Sequence, residues 1–313
     1  MTTDFSLPAL LANPAVTDIC VNGTHNLYFD RGQGMESGAL DGWTEESLRN
    51  WILQELSTVG KSWDARHPFV DARLASGHRA HVVFPPASSR GILISLRRLP
   101  TRGESSAVHS RWKQTPTLDR LIEAVHAGDS ILISGATGSG KTTLAGDLLG
   151  CVPQSERIIA LEDTQELAPA HPHFLSLLSR PANSDDCGEV TLRTLLRQTL
   201  RMRPDRIVLG ECRGAEVLEL LQALNTGHRG AMATLHAHSA REAIRRIELL
   251  CLLAGGPQLT LSAVRELLAL GVQWVVQVER HEGMRQIREL TRIEGREGDI
   301  LLMRQWTGGL PTR

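Results

Sequence analysis

GATGSGKT, residues 135–142, satisfies the pattern G-x-x-x-x-G-K-[ST] in full. Glycines at 135, 138 and 140 let the backbone turn so that successive amide N–H groups face one anion, and a following helix presents its positive end to the same point. The motif requires a buried strand before it and a helix after it. Ile131–Ser134 (ILIS) supplies the apolar run, and TLAGDLLG from Thr143 is compatible with a helix. Lys141 is then placed to reach the β- and γ-phosphates of a nucleotide and Thr142 to ligate Mg²⁺. Gly135, Ala136, Thr137, Gly138, Ser139, Gly140, Lys141, Thr142 and Thr143 form the expected cradle for ATP. Lysine occurs only at 61, 113 and 141, every other basic residue being arginine, so composition alone makes a chance match rare.

Ligands of open α/β sheets lie beyond the carboxyl ends of the strands. Three later apolar runs deliver polar groups to that edge. Arg157–Leu161 (RIIAL) ends in Glu162 and Asp163, Arg206–Leu209 (RIVL) in Gly210 and Glu211, and Ala231–Leu235 (AMATL) in His236. Asp205, by contrast, follows Pro204 at the start of its strand and reads as a turn or cap residue. His236 and His238 alternate, so an extended strand would put them on one face, as a metal site would need. No third or fourth ligand stands at a recognisable spacing, which argues against zinc.

The polar segment 101–116 (TRGESSAVHSRWKQTP) has no apolar period and reads as a linker. Before it, over 1–100, strand-like pieces such as Asp18–Val21 and Ala80–Phe84 alternate with a helix near Glu45–Leu56, in which Leu48, Ile52 and Leu56 recur every fourth residue. This predicts a small α+β domain. Over 117–313, short apolar strands alternate with amphipathic helices, which predicts an α/β domain with a mostly parallel sheet and helices on its faces. One helix opens at Ser239 with Glu242 three residues on, a capping box.

Acidic and basic residues nearly cancel over the 313 residues, leaving a formal charge of −1, and aromatics are 4%. A nucleic-acid groove ordinarily wants basic patches and stacking rings, so this balance argues against one. The five cysteines follow neither zinc-knuckle nor disulfide-framework spacing, which predicts a reducing cytoplasm. MTTDFSLPALLANP lacks a basic n-region and is interrupted by Pro8 and Pro14, so no signal peptide is expected. No apolar run has membrane-spanning length, which predicts a soluble chain.

These residues resemble the secretion-superfamily ATPases of type II and type IV secretion and of type IV and Tad pili, most closely the CpaF-like branch. The resemblance rests on GATGSGKTT (135–143), the Asp-box-like LEDTQEL (161–167), the Walker-B-like LRMRPDRIVLGECRGAE (200–216) and the His-box-like NTGHRGAMATLHAHSA (225–240). It extends into the first domain through DICVNG (18–23), VDARLASGHRAHVVFPP (70–86) and ISLRRLP (94–100). It departs at His238, where asparagine is usual, and at Cys212, where an aliphatic residue is commoner.

The resemblance implies that 117–313 is an α/β domain of the RecA-like P-loop ATPase type, that Glu211 holds Mg²⁺ and its waters, that Glu162 orients or deprotonates the attacking water, and that His236 senses the γ-phosphate. It assigns transition-state arginines to Arg79 and Arg97, with Arg98 and Arg213 as further candidates. It implies a homo-hexamer on the cytoplasmic side of the inner membrane, partnered by a membrane platform protein, that drives pilus assembly or secretion. The chain begins almost at its first domain, so no N-terminal docking extension is expected. The alternatives are a RecA-like nucleic-acid motor or DNA-transfer ATPase, and an assembly component that binds ATP without turnover. Arg193, Arg197 and Arg201 share one helical face and read as a solvated or subunit-facing stripe.

Overall fold

The computed structural model describes residues 6–24, 26–32, 34–99, 112, 115–181, 188–281 and 284–307, and the chain divides after Leu99 into two units, Met1–Leu99 and Pro100–Arg313. The linker reading over 101–116 lies mostly outside the described residues.

In the first unit, strands β1 (Asp18–Asn22), β2 (Asn26–Asp30), β3 (Met35–Gly38), β4 (Phe69–Arg73), β5 (His78–Val83) and β6 (Leu93–Arg98) form an antiparallel sheet in the order β3-β2-β1-β6-β5-β4. Buried and exposed residues alternate along β1, β2, β4, β5 and β6, so one face is apolar. Helices α1 (Leu7–Ala12) and α2 (Glu45–Thr58) contribute Leu7, Leu10, Leu48, Ile52 and Leu56 to the same core. Thr44 caps α2 by accepting from the Ser47 amide, which closes the entry to the helix. Truncating one of these fully buried leucines to alanine costs about 2–5 kcal/mol.

The second unit is built from strands β7 (Ile131–Gly135), β8 (Ile158–Glu162), β9 (Phe174–Leu178), β10 (Arg206–Leu209), β11 (Met232–Leu235), β12 (Trp274–His281), β13 (Met284–Glu297) and β14 (Ile300–Gln305). They form one sheet in the order β14-β13-β12-β7-β11-β10-β8-β9. From β12 to β9 the neighbours run parallel, while β13 and β14 add an antiparallel edge. Strands β7, β8, β10 and β11 are buried at every position, as a sheet covered on both faces requires.

Helices α3 (Pro116–Ala127) and α4 (Lys141–Leu149) pack with Trp112 on one face. Helices α5 (Leu192–Thr199), α6 (Glu216–Asn225), α7 (Ala240–Gly255) and α8 (Leu261–Gly271) cover the other. Thr115 and Pro116, read from sequence as the end of the linker, are the cap and first residue of α3. Trp112 is buried and donates to Asp147 Oδ2 at 2.9 Å, which fastens this end of the connection to the helix that leaves the phosphate loop. Asp205 joins the starts of two parallel strands, accepting from the Arg157 amide at 2.7 Å. Among the described residues no helix is long and apolar enough to cross a membrane.

Candidate active site

Gly135 ends β7 where no side chain fits, since a Cβ there would stand 2.4 Å from the Val278 carbonyl oxygen and 2.5 Å from Ser139 Oγ. Gly140 opens α4 with φ +101°, a left-handed conformation that glycine adopts without strain. Ser139 Oγ is buried and has no hydrogen-bond partner among the described residues. Such a hydroxyl costs about 1–3 kcal/mol when unpaired, and an anion in the cradle would accept from it. The loop therefore fits a phosphate.

Lys141 is only 7% exposed. Its ammonium donates to the carbonyls of Gly135 at 3.0 Å and Ala136 at 2.9 Å, and to His236 Nδ1 at 3.2 Å. Burial lowers its pKa, opposed by the charges of Glu211 and Glu166. An ammonium only donates, so Nδ1 is the acceptor and the imidazole carries its hydrogen on Nε2. That Nε2 lies 3.2 Å from Glu211 Oε1. Burial and the Lys141 charge hold the His236 pKa below the ordinary imidazole value, with Glu211 pulling the other way. Lys141, a neutral His236 and Glu211 thus form one line of polar contacts.

Burial alone would raise the Glu211 pKa, but the hydrogen bond from Arg213 Nη2 at 2.6 Å, the charges of Arg213 and Lys141 and the neighbouring His236 imidazole leave it lowered. Arg213 also reaches Asp163 at 3.5 Å. The sequence places Glu162 beside Glu211 in role, but its surroundings differ. Glu162 is 2% exposed. Its Oε1 accepts from the amides of Glu166 at 2.8 Å and Leu167 at 2.9 Å, and its Oε2 from Ser176 Oγ at 2.7 Å. Burial raises its pKa in spite of those donors. The carboxylate that meets the phosphate loop is Glu166, whose Oε2 is 3.4 Å from Thr142 Oγ1. Glu166 lies four residues on in the same LEDTQEL segment, which holds three acids and thus offered a signal that a strand-end rule passed over.

The His238 backbone N–H donates to Glu242 at 2.8 Å while Ser239 Oγ accepts from the Glu242 amide at 3.2 Å. The capping carboxylate therefore reaches one residue further back than the reciprocal bond of a capping box. The hairpin of β12 and β13 also borders the loop. A Cβ on Gly140 would stand 2.7 Å from Arg285 Cδ, so the stem of that arginine lies across the start of α4. A cleft of about 430 Å³ runs between Thr137, Gly138 and this hairpin, with His238, Arg280 and Arg288 on its wall.

In the first unit, Arg79 and Arg97 are direct cross-strand partners on the polar face of the sheet, and Arg73 is opposite Arg79 on the other side. Arg97 Nε donates to Asp18 at 2.8 Å. Arg98 pairs in register with His78. Arg193 and Arg197 are solvent-accessible, and both donate to Glu219 Oε1, at 2.8 and 2.6 Å, which ties α5 to α6.

The model of the family described as type II/IV secretion system protein matches residues 2–281. The chain belongs to that family. The chain is an ATPase of the P-loop class. A putative conjugal transfer protein of Mycobacterium tuberculosis is 38% identical over 309 residues, covering 96% of this chain and 87% of the relative. The type IV secretion system protein PtlH of Bordetella pertussis is 35% identical over 327 residues, covering 94% of this chain and 95% of the relative. The crystal structure of the VirB11 ATPase of the Brucella suis type IV secretion system, in complex with sulphate, matches with a TM-score of 0.50 at 30% identity, covering 91% of each chain. The ATPase DotB of Legionella pneumophila shares the fold, with a TM-score of 0.63 at 18% identity over 92% of this chain and 81% of that one.

Proposed function

We propose that this secretion-family ATPase is an Mg²⁺-dependent motor that powers secretion or pilus assembly across the cell envelope. The observation that carries the reading is the contact line Lys141–His236–Glu211, which joins the phosphate loop to the ends of two neighbouring strands. Phosphoryl transfer demands positioning and charge neutralisation more than covalent help from the protein. The loop amides and Lys141 bind the phosphates. Thr142 and Glu211 are the oxygen donors suited to hold Mg²⁺, directly or through water, and the ion supplies neutralisation of charge on the phosphate oxygens. His236, already paired with Lys141, answers the presence of the terminal phosphate. Glu166 orients the attacking water, while Glu162, the residue expected from sequence, holds the segment that carries Glu166. Arg79 and Arg97 remain the proposed transition-state arginines.

A homo-hexamer at the cytoplasmic face of the inner membrane, engaged by a platform protein, follows from the motif resemblance. The names of the relatives support a type IV secretion role. The CpaF-like, Tad-pilus assignment rests on the quoted motifs. One observation favours a second reading, as a DNA-transfer ATPase: a relative is named a conjugal transfer protein. Turnover stimulated by single-stranded DNA would select that reading, and stimulation by a membrane platform protein the first.

The site itself is tested by Lys141→Ala, which is expected to abolish ATP hydrolysis, and by Glu211→Gln, which is expected to retain nucleotide while turnover falls about 10²–10⁴-fold, the range for a positioned polar group. Undiminished hydrolysis in both variants overturns the assignment.

A further inference from the structure

Strand β12 begins WVVQV, and Gln277 is the polar residue inside that run. Trp274, Val275, Val276 and Val278 around it are all buried, and Gln277 is 4% exposed. A glutamine here costs burial of an amide that methionine or leucine would avoid, unless every polar atom finds a partner. Both do. Oε1 accepts from Ser134 Oγ at 2.5 Å, and Nε2 donates to the Ala237 carbonyl oxygen at 3.0 Å. The orientation is dictated by chemistry, because a carbonyl oxygen only accepts and must face the NH₂.

The two partners define what the bridge joins. Ser134 directly precedes Gly135 of the phosphate loop, and Ala237 directly follows His236. In the sheet β7 lies between β12 and β11, with Ser134 in register with Gln277 on one side and Leu235 on the other. The Gln277 side chain therefore crosses the phosphate-loop strand and grips the backbone just beyond β11. The pairing of β12 with β13 shifts register between Gln277 and Val278. Irregularities of this kind re-aim a side chain.

We propose that Gln277 is a positioning residue for hydrolysis, whose buried amide locks the His236 loop to the phosphate loop and keeps the imidazole in register with Lys141. The role acts through His236 and rests on the reading of that residue as the group that answers the terminal phosphate. A bare core glutamine would predict a different result, a loss of stability with nucleotide binding and turnover falling together.

The test is a double-mutant cycle on the full chain, measuring steady-state ATP hydrolysis and ADP affinity for Gln277→Met, His236→Ala and the pair. Methionine fills the same space without either hydrogen bond. Gln277→Met is expected to lower kcat at least tenfold with ADP affinity held within twofold, and to add less than twofold to the loss already caused by His236→Ala. Ser134→Ala, which breaks one end of the bridge, is expected to show a smaller fall of the same kind, and carries the cycle if Gln277→Met does not fold. Multiplying losses, an unchanged kcat, or ADP affinity falling in step with kcat would overturn the role of Gln277 alone. Wild-type turnover in His236→Ala would overturn the reading of His236 and this proposal with it.

Discussion

Strands β8 and β10 lie side by side, with Leu161 in register with Leu209, and each runs out into a glutamate. The two carboxylates nevertheless meet opposite surroundings. Glu162 turns inward, takes two backbone amides and a serine hydroxyl, and has its pKa raised by burial. Glu211 comes one glycine later, faces Arg213, His236 and Lys141, and has its pKa lowered by them. Gly210 makes the difference possible: a Cβ there would stand 2.9 Å from Glu162 Cγ, so the glycine lets β10 exit over the buried carboxylate and carries Glu211 on toward the cations. A place at the functional edge of a sheet does not by itself fix what surrounds a carboxylate. The partners of its oxygens decide.

The sharpest way to break this contrast is to neutralise the acids of the β8 exit one at a time. Glu166→Gln is expected to lower kcat about 10²-fold or more, the scale of a lost general base or water-positioning group, while Glu162→Gln lowers it less than tenfold. The reverse order in a steady-state assay would return the water-directed role to Glu162.

Stability should separate the two strand ends next. Glu162→Ala orphans the Glu166 and Leu167 amides, at about 1–3 kcal/mol for each group left unpaired in the interior. Glu211→Ala removes a partly exposed ion pair and is expected to cost about 1 kcal/mol or less. Urea titrations in which Glu211→Ala proves the more damaging change would invert the assignment of structural and chemical roles.

The two acids should also give pH slopes of opposite sign. Glu211 has a depressed folded pKa, so its contribution is present above the ordinary carboxylate value and is lost as pH falls through the folded value. Glu162 has an elevated folded pKa, so the folded state holds its proton more tightly, and stability relative to Glu162→Gln declines as pH rises from the ordinary carboxylate value through the elevated one. Denaturation midpoints of wild type and the two Gln variants across the acidic range measure both slopes, and parallel slopes would refute the contrast. The smallest effect belongs to Arg213→Ala, which removes the principal group lowering the Glu211 pKa. The acid limb attributable to Glu211 is expected to move to higher pH in that variant, and an unmoved limb would show that Lys141 and His236 suffice.

Much of this molecule is legible in its sequence because the governing signals are local. The phosphate loop occupies eight consecutive residues, helix α2 shows its buried face through Leu48, Ile52 and Leu56, and the runs ending at Leu209 and Leu235 are read directly as β10 and β11. Strand ends then point to Glu211 and His236. What folding alone settles are the partners that join distant segments: Gln277 finds Ser134 across 143 positions of chain, Arg97 finds Asp18 across 79, and Arg193 and Arg197 both find Glu219 on the next helix. Periodicity tells which face a residue occupies, since backbone geometry repeats every few residues. It carries no record of which donor will stand opposite a given oxygen, and that is why Glu162 and Glu211, alike on paper, part company in three dimensions.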